Sequence, residues 1–204
     1  MAKNIITISR EFGSGGRTIG RMIAEKLGYK FYDSEIIERV VEESGLSKEI
    51  VEKYDEYATH KRSFLYSIAI NATTSGMDPY HGMSFANQVQ IAQIKVINEI
   101  AKEGNCVIIG RGADYILRDR EDVLNVFIYA DMKFKAERVL SVYGATEKKV
   151  EDRIKDKDTK RKVFYRSFTM REWGVYSNYN LMLDSGTIGL ERCVDIVCDV
   201  AKAD

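Results

Sequence analysis

The chain has 204 residues, a length that suits one large domain. Its 31 Lys and Arg residues balance its 31 Asp and Glu residues, which excludes a general polyanion binder, whose basic excess would appear in the total. We therefore expect no binding to nucleic acid. No apolar run approaches the roughly 18 residues needed to cross a membrane, so we expect no membrane partner either.

Cysteine usage indicates a reducing compartment. Cys106, Cys193 and Cys198 stand among Val and Ile residues, cannot all pair, and form no Cys-x-x-Cys motif. They are predicted to be buried free thiols. The apolar stretch at 5–8 is far too short for a signal peptide. Together these features predict a cytoplasmic protein.

Apolar runs of strand length alternate with segments of helical periodicity along the chain. Strands are predicted at 4–9, 29–32, 106–110, 123–129 and 181–184. Helices are predicted from the glycine cluster at 13–20 to Gly28, and at 34–45, 47–57, 64–70, 84–102, 131–144, 146–166 and 190–201, with a loop at 71–84. This alternation predicts a three-layer α/β fold, in which a five-stranded parallel sheet is covered by helices on both faces. Its core would comprise 1–33, 104–145 and 173–204, with helical excursions at 34–103 and 146–172.

The glycine cluster lies between the first predicted strand and the first predicted helix. Backbone N–H groups in such a loop, together with the following helix N-terminus, form a cradle for phosphate. Gly16-Arg17-Thr18 aligns with the end of the Walker A pattern, although Glu11 replaces its first Gly and Arg17 replaces its Lys. A second register, one residue back, places Gly16 at the Lys position.

The loop is predicted to bind the phosphates of ATP. The predicted phosphate-binding residues are Gly13, Ser14, Gly15, Gly16, Arg17 and Thr18. Arg17 would bring a cation to the β- and γ-phosphates, and the Thr18 hydroxyl would be a ligand to Mg²⁺. A Rossmann dinucleotide site needs a third Gly where Thr18 stands, so that pattern fails. A turn that only packs the helix on the sheet is the remaining alternative.

Polar residues also follow the second and third predicted strands. Asp33, Ser34 and Arg39 follow the second strand, and Arg111 stands between two glycines after the third. Because the carboxyl ends of parallel strands meet at one edge of the sheet, we expect these residues to bind a second substrate near the glycine loop. A phosphate contact at Arg111 is favoured over a simple turn, since glycines destabilise regular structure.

Residues 148–171 contain ten Lys or Arg and four Asp or Glu residues, a net charge of 10 − 4 = +6 in 24 residues. A solvated helix face is one interpretation of such a run. The imbalance favours a movable basic arm that closes over phosphates and expels water. Arg153 and Arg161 would then reach the reacting phosphates as the arm closes.

Taken together, these segments resemble the cytidylate-kinase-like branch of the nucleoside monophosphate kinases. The resemblance is carried by Ile-Thr-Ile-Ser-Arg-Glu-Phe-Gly-Ser-Gly-Gly-Arg at 6–17, Phe-Tyr-Asp-Ser-Glu-Ile-Ile at 31–37, Gly-Arg-Gly-Ala-Asp-Tyr at 110–115, Trp-Gly at 173–174 and Asn-Leu-Met-Leu-Asp-Ser at 180–185. It implies a P-loop kinase fold with ATP and Mg²⁺ as cofactors. It also implies that 34–103 is the acceptor-binding excursion and that 146–172 is the lid.

The resemblance assigns acceptor binding to Asp33, Ser34, Arg39 and Arg111, and it places Asp158 and Arg161 at the tip of the lid. The chain departs from the family pattern at three points. Arg17 replaces the loop Lys, Ile109 replaces an Asp before Gly-Arg, and Glu35-Ile36 replaces Gly-Ala in the acceptor segment.

The predicted function is ATP-dependent phosphoryl transfer to a (d)CMP-like nucleoside monophosphate, with Arg17, Arg153 and Arg161 as catalytic cations. A nucleotide phosphate is already an ionised nucleophile, so no general base is required. Two alternatives stay open. One is a nucleotide-binding sensor that does not catalyse. The other is a kinase for a small non-nucleotide acceptor, which would need Asp33 or Asp114 as a base.

Overall fold

The computed structural model describes residues 3–55 and 83–203. The helix predicted around 64–70, the end of the helix predicted to reach residue 57, and all but the last two residues of the loop predicted at 71–84 lie outside the described residues.

Within 3–55 and 83–203, five strands form one sheet in which every paired neighbour is parallel. They are β1 (Ile5–Arg10), β2 (Lys30–Tyr32), β3 (Cys106–Ile109), β4 (Val123–Tyr129) and β5 (Leu181–Asp184). The spatial order is β2-β3-β1-β4-β5, which confirms the predicted five-stranded parallel sheet. The chain leaves β1 towards one side of the sheet and later returns to its other side. Ligands of open α/β sheets bind at such a switch point, outside the carboxyl ends of the strands.

The helices follow the predicted order with small differences at their ends. They are α1 (Gly16–Leu27), α2 (Glu35–Ser44), α3 (Lys48–Tyr54), α4 (Phe85–Glu103), α5 (Ala113–Ile116), α6 (Met132–Tyr143), α7 (Val150–Thr169), α8 (Ser185–Ile188) and α9 (Leu190–Lys202), with a 3₁₀ turn at Tyr176–Asn178. The sequence did not indicate α5, α8 or the 3₁₀ turn, because one turn of helix is too short to show a period. The start predicted for α7, at residue 146, is wrong by four residues.

Two apolar cores lie on opposite faces of the sheet because side chains alternate along a strand. In β1, Ile5 packs into the core covered by α2, α3 and α4, whereas Ile6 and Ile8 pack into the core covered by α1 and α9. All three residues are fully buried. The runs that read as continuously apolar in the sequence are therefore strands covered on both faces, as a three-layer fold requires.

All three cysteines are buried and free, as predicted. Burial raises the pKa of the Cys106 thiol to about 12, so this side chain is a neutral thiol at pH 7. No helix within 3–55 or 83–203 is both long and apolar enough to cross a membrane.

Candidate functional site

The loop between β1 and α1 has a shape that only glycine permits at two positions. Gly13 and Gly15 have φ values of +88° and +81°. A Cβ atom at Gly13 would lie 2.8 Å from the Lys135 carbonyl oxygen, and one at Gly15 would lie 2.6 Å from Leu190 Cδ2. The glycines are thus required both by backbone conformation and by the close approach of α6 and α9.

Ser14 stabilises this loop from inside the protein. Its hydroxyl donates a 2.9 Å hydrogen bond to the Glu11 carbonyl, and its own carbonyl accepts a 2.6 Å bond from the Ser185 hydroxyl. The Ser14 side chain is fully buried. The five other residues predicted to bind phosphate line a cavity above the loop, whereas Ser14 does not.

Glu11, which replaces the first Walker A glycine, ties the loop to the neighbouring strand and helix. Its carboxylate accepts a 2.8 Å hydrogen bond from Lys135 Nζ at the start of α6 and a 3.3 Å bond from the Ala130 amide. The Lys135 side chain is almost fully buried. The charge that Glu11 brings to the loop, in place of the motif's glycine, is therefore neutralised by the buried Lys135 ammonium.

A cavity of about 390 Å³ opens above the loop and is positively charged. Its lining includes two carboxylates, Glu11 and Asp33, and five arginines, Arg10, Arg17, Arg21, Arg138 and Arg161. Sequence reasoning missed Arg10, Arg21 and Arg138. Arg138 Nη2 donates a 2.7 Å hydrogen bond to Thr18 Oγ1 although the two residues are 120 positions apart, and no local pattern indicates such a contact.

Arg17 connects the loop to the end of β2. Its guanidinium lies 2.5 Å from the Asp33 carboxylate, as measured from Nε to Oδ2, and half of its side chain is exposed. The structure thus brings together two residues that the sequence assigned to different substrates.

A second cavity, of about 320 Å³, lies on the other side of this ion pair. It is lined by Arg17, Asp33, Ser34, Ile37, Glu52, Asp55 and Arg111. Three residues predicted for acceptor binding, Asp33, Ser34 and Arg111, are therefore together here. Glu52 and Asp55 were not foreseen. They come from α3 and the residue that follows it, which carried no motif.

Arg111 is held in a strained backbone conformation at this cavity. Its φ of +55° is rare for a residue with a side chain, and the glycines on both sides also have positive φ values. Gln93 supports this turn by donating a 2.9 Å hydrogen bond to the Arg111 carbonyl. Arg111 Nη1 donates to the Asp33 carbonyl at 2.7 Å, and Nε and Nη2 each lie 3.1 Å from a carboxylate oxygen of Asp55.

The structure does not bring Arg39 to either cavity. Arg39 Nη2 lies 3.2 Å from Glu35, one turn earlier on α2, and Nη1 lies 3.5 Å from Glu103 at the end of α4. Its guanidinium also stacks over the Tyr32 ring at 5.0 Å. The position of Arg39 on α2 thus directs it to the surface beside α4.

The segment predicted as a lid contains α7, which packs on the glycine loop. Asp158 and Arg161 are buried in the middle of this helix and do not form an exposed tip. Asp158 Oδ1 accepts a 2.7 Å hydrogen bond from the Phe12 amide, and Arg161 Nη1 donates a 3.1 Å bond to the Arg10 carbonyl. Burial raises the pKa of Asp158.

Arg153, one of the predicted catalytic cations, lies at the rim of this region. Its guanidinium is 5.8 Å from the Phe12 ring and 5.7 Å from the Tyr143 ring, and these two rings stack on each other. Nη1 donates a 3.1 Å hydrogen bond to the Gly144 carbonyl. Arg153 does not line the cavity above the loop, whereas Arg161 does.

Asp114, one of the two candidate bases, is buried beneath α7 and lines neither cavity. Its Oδ2 accepts a 2.7 Å hydrogen bond from the Tyr165 hydroxyl. Burial raises the pKa of the Asp114 carboxyl to about 6. Of the two candidate bases, only Asp33 therefore lines the second cavity.

A glycine loop between the central strand of a parallel sheet and a helix, with a cationic cavity above it, defines the P-loop fold. The chain belongs to the cytidylate kinase-like family, whose model matches residues 5–187. This confirms the predicted family resemblance. The chain is also 26% identical over 196 residues to a cytidylate kinase of Archaeoglobus fulgidus, a match that spans 94% of this chain and 91% of that relative.

Solved structures agree on the fold. The crystal structure of an uncharacterized protein from Eubacterium ventriosum matches with a TM-score of 0.70 at 23% identity and covers 97% of both chains. Shikimate kinase from Acinetobacter baumannii matches with a TM-score of 0.50 at 17% identity and covers 98% of this chain and 93% of its own. Family and fold together place this chain among the kinases.

Proposed function

We propose that the protein transfers the γ-phosphoryl group of ATP to a (d)CMP-like nucleoside monophosphate. One observation carries this proposal: Arg17 and Asp33 line both cavities, so the two sites meet at one ion pair. Phosphoryl transfer requires donor and acceptor to be aligned in line and surrounded by cations, with little covalent participation by the protein. Two adjoining cavities that share an arginine meet this requirement.

The cavity above the loop suits the polyphosphate of ATP. A Cβ atom at Gly13 would clash with α6 and one at Gly15 with α9, so these glycines let the loop keep its turn, and five arginines line the space above it. Arg17 would hold the β- and γ-phosphates in place of the usual lysine. Its planar guanidinium forms a fork, whereas an ammonium is a point charge, so we expect it to contact two phosphate oxygens at once.

Thr18 fits the role of the protein ligand to Mg²⁺. Within 3–55 and 83–203, no group of three His, Cys, Asp or Glu residues could hold a metal ion. Mg²⁺ at kinase sites keeps several waters and is bound partly by substrate phosphates, so it needs few protein ligands, and a Ser or Thr hydroxyl of the P-loop is a usual one. When bound, Mg²⁺ would neutralise phosphate charge. Thr18 would first have to exchange its hydrogen bond with Arg138 for this contact.

The second cavity suits a phosphorylated acceptor. Arg17 and Arg111 provide cations for its phosphate, and Asp33 and Ser34 provide acceptors and a hydroxyl for the sugar or base. Arg161 would add positive charge at the transferring group. We propose Arg153 as a further cation, which would leave the Phe12 and Tyr143 rings when ATP binds.

A kinase for a small unphosphorylated acceptor is the second candidate, and the charge of the second cavity favours it. Three carboxylates, Asp33, Glu52 and Asp55, face two arginines there. An alcohol acceptor needs a base, and Asp33 is the only candidate base predicted from the sequence that the structure places at this cavity.

Release of ADP from ATP and Mg²⁺ in the presence of single acceptors tests both proposals. The panel should include CMP, dCMP, UMP, AMP and GMP, together with cytidine and small polyols, and a reaction without acceptor should give the background release. The highest kcat/KM with CMP or dCMP supports the first proposal. Turnover of unphosphorylated acceptors alone supports the second. Tight ATP binding by calorimetry without ADP release from any acceptor would contradict both and indicate a sensor.

A further inference from the structure

We propose that Asp55 occupies the position of the acceptor's phosphate on Arg111, and that it thereby limits the acceptor site to ligands able to displace a carboxylate. This inference rests on the proposed function, because it takes Arg111 to be the acceptor-phosphate residue. It makes Asp55 a specificity-determining residue of that site.

The geometry of the pair is that of a bound oxyanion. Nε of Arg111 lies 3.1 Å from Asp55 Oδ1, and Nη2 lies 3.1 Å from Oδ2. Two parallel N–H···O bonds of this kind are the mode in which a guanidinium binds either a carboxylate or a phosphate. Only 4% of the Arg111 side chain and 5% of the Asp55 side chain are exposed. A phosphate on this face of Arg111 must therefore replace Asp55.

The strained turn at Arg111 supports a ligand-binding role for this side chain. A residue with a side chain rarely adopts a positive φ, and such strain is concentrated at ligand sites. Arg111 Nη1 is fixed separately by the Asp33 carbonyl. The guanidinium can therefore keep its orientation while its other edge exchanges one anion for another.

Asp55 also belongs to the cavity where the acceptor would bind. It follows the last residue of α3, whereas Glu52, on α3 itself, lines the same cavity without an ion pair to Arg111 among the described contacts. A carboxylate carries one negative charge, whereas a nucleotide phosphate approaches two at pH 7. The phosphate can therefore displace Asp55, whereas a neutral acceptor leaves the pair intact.

The variant Asp55→Asn, with Glu52→Gln as the matched control, tests the proposal. Asn keeps the size of the side chain but removes the competing charge. We expect the KM and Kd for CMP to fall about tenfold in Asp55→Asn, the scale of one charge-assisted hydrogen bond. Glu52→Gln should change the KM for CMP by less than about twofold, since Glu52 forms no ion pair with Arg111. A rise in the KM for CMP in Asp55→Asn would overturn the inference, because Asp55 would then hold Arg111 in place for the substrate.

Two further measurements apply if Asp55→Asn does not fold. The variant Asp55→Ser makes the same test with a smaller side chain. A crystal structure of the wild-type protein with CMP needs no variant: phosphate on Nε and Nη2 of Arg111 with Asp55 displaced supports the proposal, and an unchanged Arg111–Asp55 pair beside bound CMP overturns it.

Failure of the proposed function gives a different result. In that case the wild-type protein releases no ADP with any nucleoside monophosphate, but calorimetry can still compare its affinity for inorganic phosphate with that of Asp55→Asn. Tighter phosphate binding by the variant would preserve the inference about Arg111. Equal or weaker phosphate binding by the variant would overturn the inference about Arg111 as well.

Discussion

The Phe12 amide in the glycine loop donates a 2.7 Å hydrogen bond to the Asp158 carboxylate on α7, across 146 positions of sequence. Asp158 Oδ2 lies 3.8 Å from Lys135 Nζ, and Oδ1 lies 3.5 Å from Arg161 Nη1. Lys135 in turn binds Glu11 at the start of the loop. The loop conformation therefore depends on a neutral cluster of two carboxylates and two cations, half of which α7 supplies.

Replacement of Asp158 should weaken ATP binding through the loop. In Asp158→Ala the Phe12 amide loses its acceptor, and Lys135 and Arg161 lose part of their counter-charge. We expect the KM for ATP to rise about tenfold and the free energy of unfolding to fall by about 1–3 kcal/mol, the range for a buried hydrogen bond to a charged group. Steady-state kinetics and urea unfolding measure the two effects.

Asp156→Ala is the matched control for this variant. Asp156 lies on the same helix, but its side chain is 46% exposed and its ion pairs are with Lys148 and Lys160. Equal effects in the two variants would show that the helix, and not the contact with Phe12, determines ATP binding.

Arg17→Ala should abolish most turnover. If Arg17 carries the charge that the usual loop lysine carries, kcat should fall at least about 100-fold, the scale of losing one transition-state donor. Arg21→Ala is the control, because Arg21 is one turn further along α1, lines the same cavity and has its guanidinium 5.7 Å from the Phe31 ring. A kcat for Arg17→Ala within a few-fold of the wild type would refute this role.

Gly13→Ala should be more harmful than Gly28→Ala. Both glycines have a positive φ, so each variant pays the backbone strain of about 1 kcal/mol. Nothing lies within 4 Å of a Cβ atom at Gly28, whereas one at Gly13 meets the Lys135 carbonyl at 2.8 Å and Val139 Cγ2 at 2.9 Å. We expect Gly13→Ala to lose about 1–3 kcal/mol more, as in overpacked sites, and also to weaken ATP binding. Equal losses in urea unfolding would show that the space around Gly13 accommodates a Cβ atom without cost.

Asp114 should make stability depend on pH. Burial raises its folded-state pKa from 3.8 to about 6, so the folded protein binds this proton more tightly than the unfolded chain does. Its contribution to the free energy of unfolding is therefore lost as the pH rises from about 4 to about 6. Asp114→Asn removes this loss, so its stability relative to the wild type should increase over that window, by on the order of 2–3 kcal/mol.

Urea unfolding at several pH values tests this expectation. Asp158, whose pKa is also raised, contributes equally to both proteins and cancels in the difference. Asp119→Asn makes the same chemical change at a side chain that is 84% exposed. The same pH dependence in both variants would show that burial of Asp114 is not the cause.

Arg39→Ala should leave acceptor binding almost unchanged. The guanidinium is engaged with Glu35, Glu103 and the Tyr32 ring outside both cavities. Loss of such partly exposed ion pairs should change the KM for CMP by less than about twofold. A rise of tenfold or more would restore Arg39 to the acceptor site that its sequence position suggested.

The order of strands and helices and the glycine loop could be predicted because they depend on local pattern. Apolar runs such as Ile5–Ile8 are strands buried on both faces, and the positive φ values of Gly13 and Gly15 favour glycine. The local pattern did not predict the position of the Arg39 side chain. Arg39 follows β2 closely in the sequence, as expected of an acceptor-site residue, but its position on α2 places it beside Glu35.

The partners of the site residues were decided only by tertiary structure. Each of these contacts joins two distant segments of the chain. They are the hydrogen bonds from Arg138 to Thr18 and from Phe12 to Asp158, and the ion pair between Asp55 and Arg111. Hydrophobic burial is non-directional, and the spacing of apolar residues within a segment indicates whether that segment is a strand or a helix. The sequence by itself therefore determined which segments form the sheet and which cover it. A hydrogen bond or ion pair is directional and depends on two backbones meeting at about 3 Å, and only the packed sheet and helices set that distance.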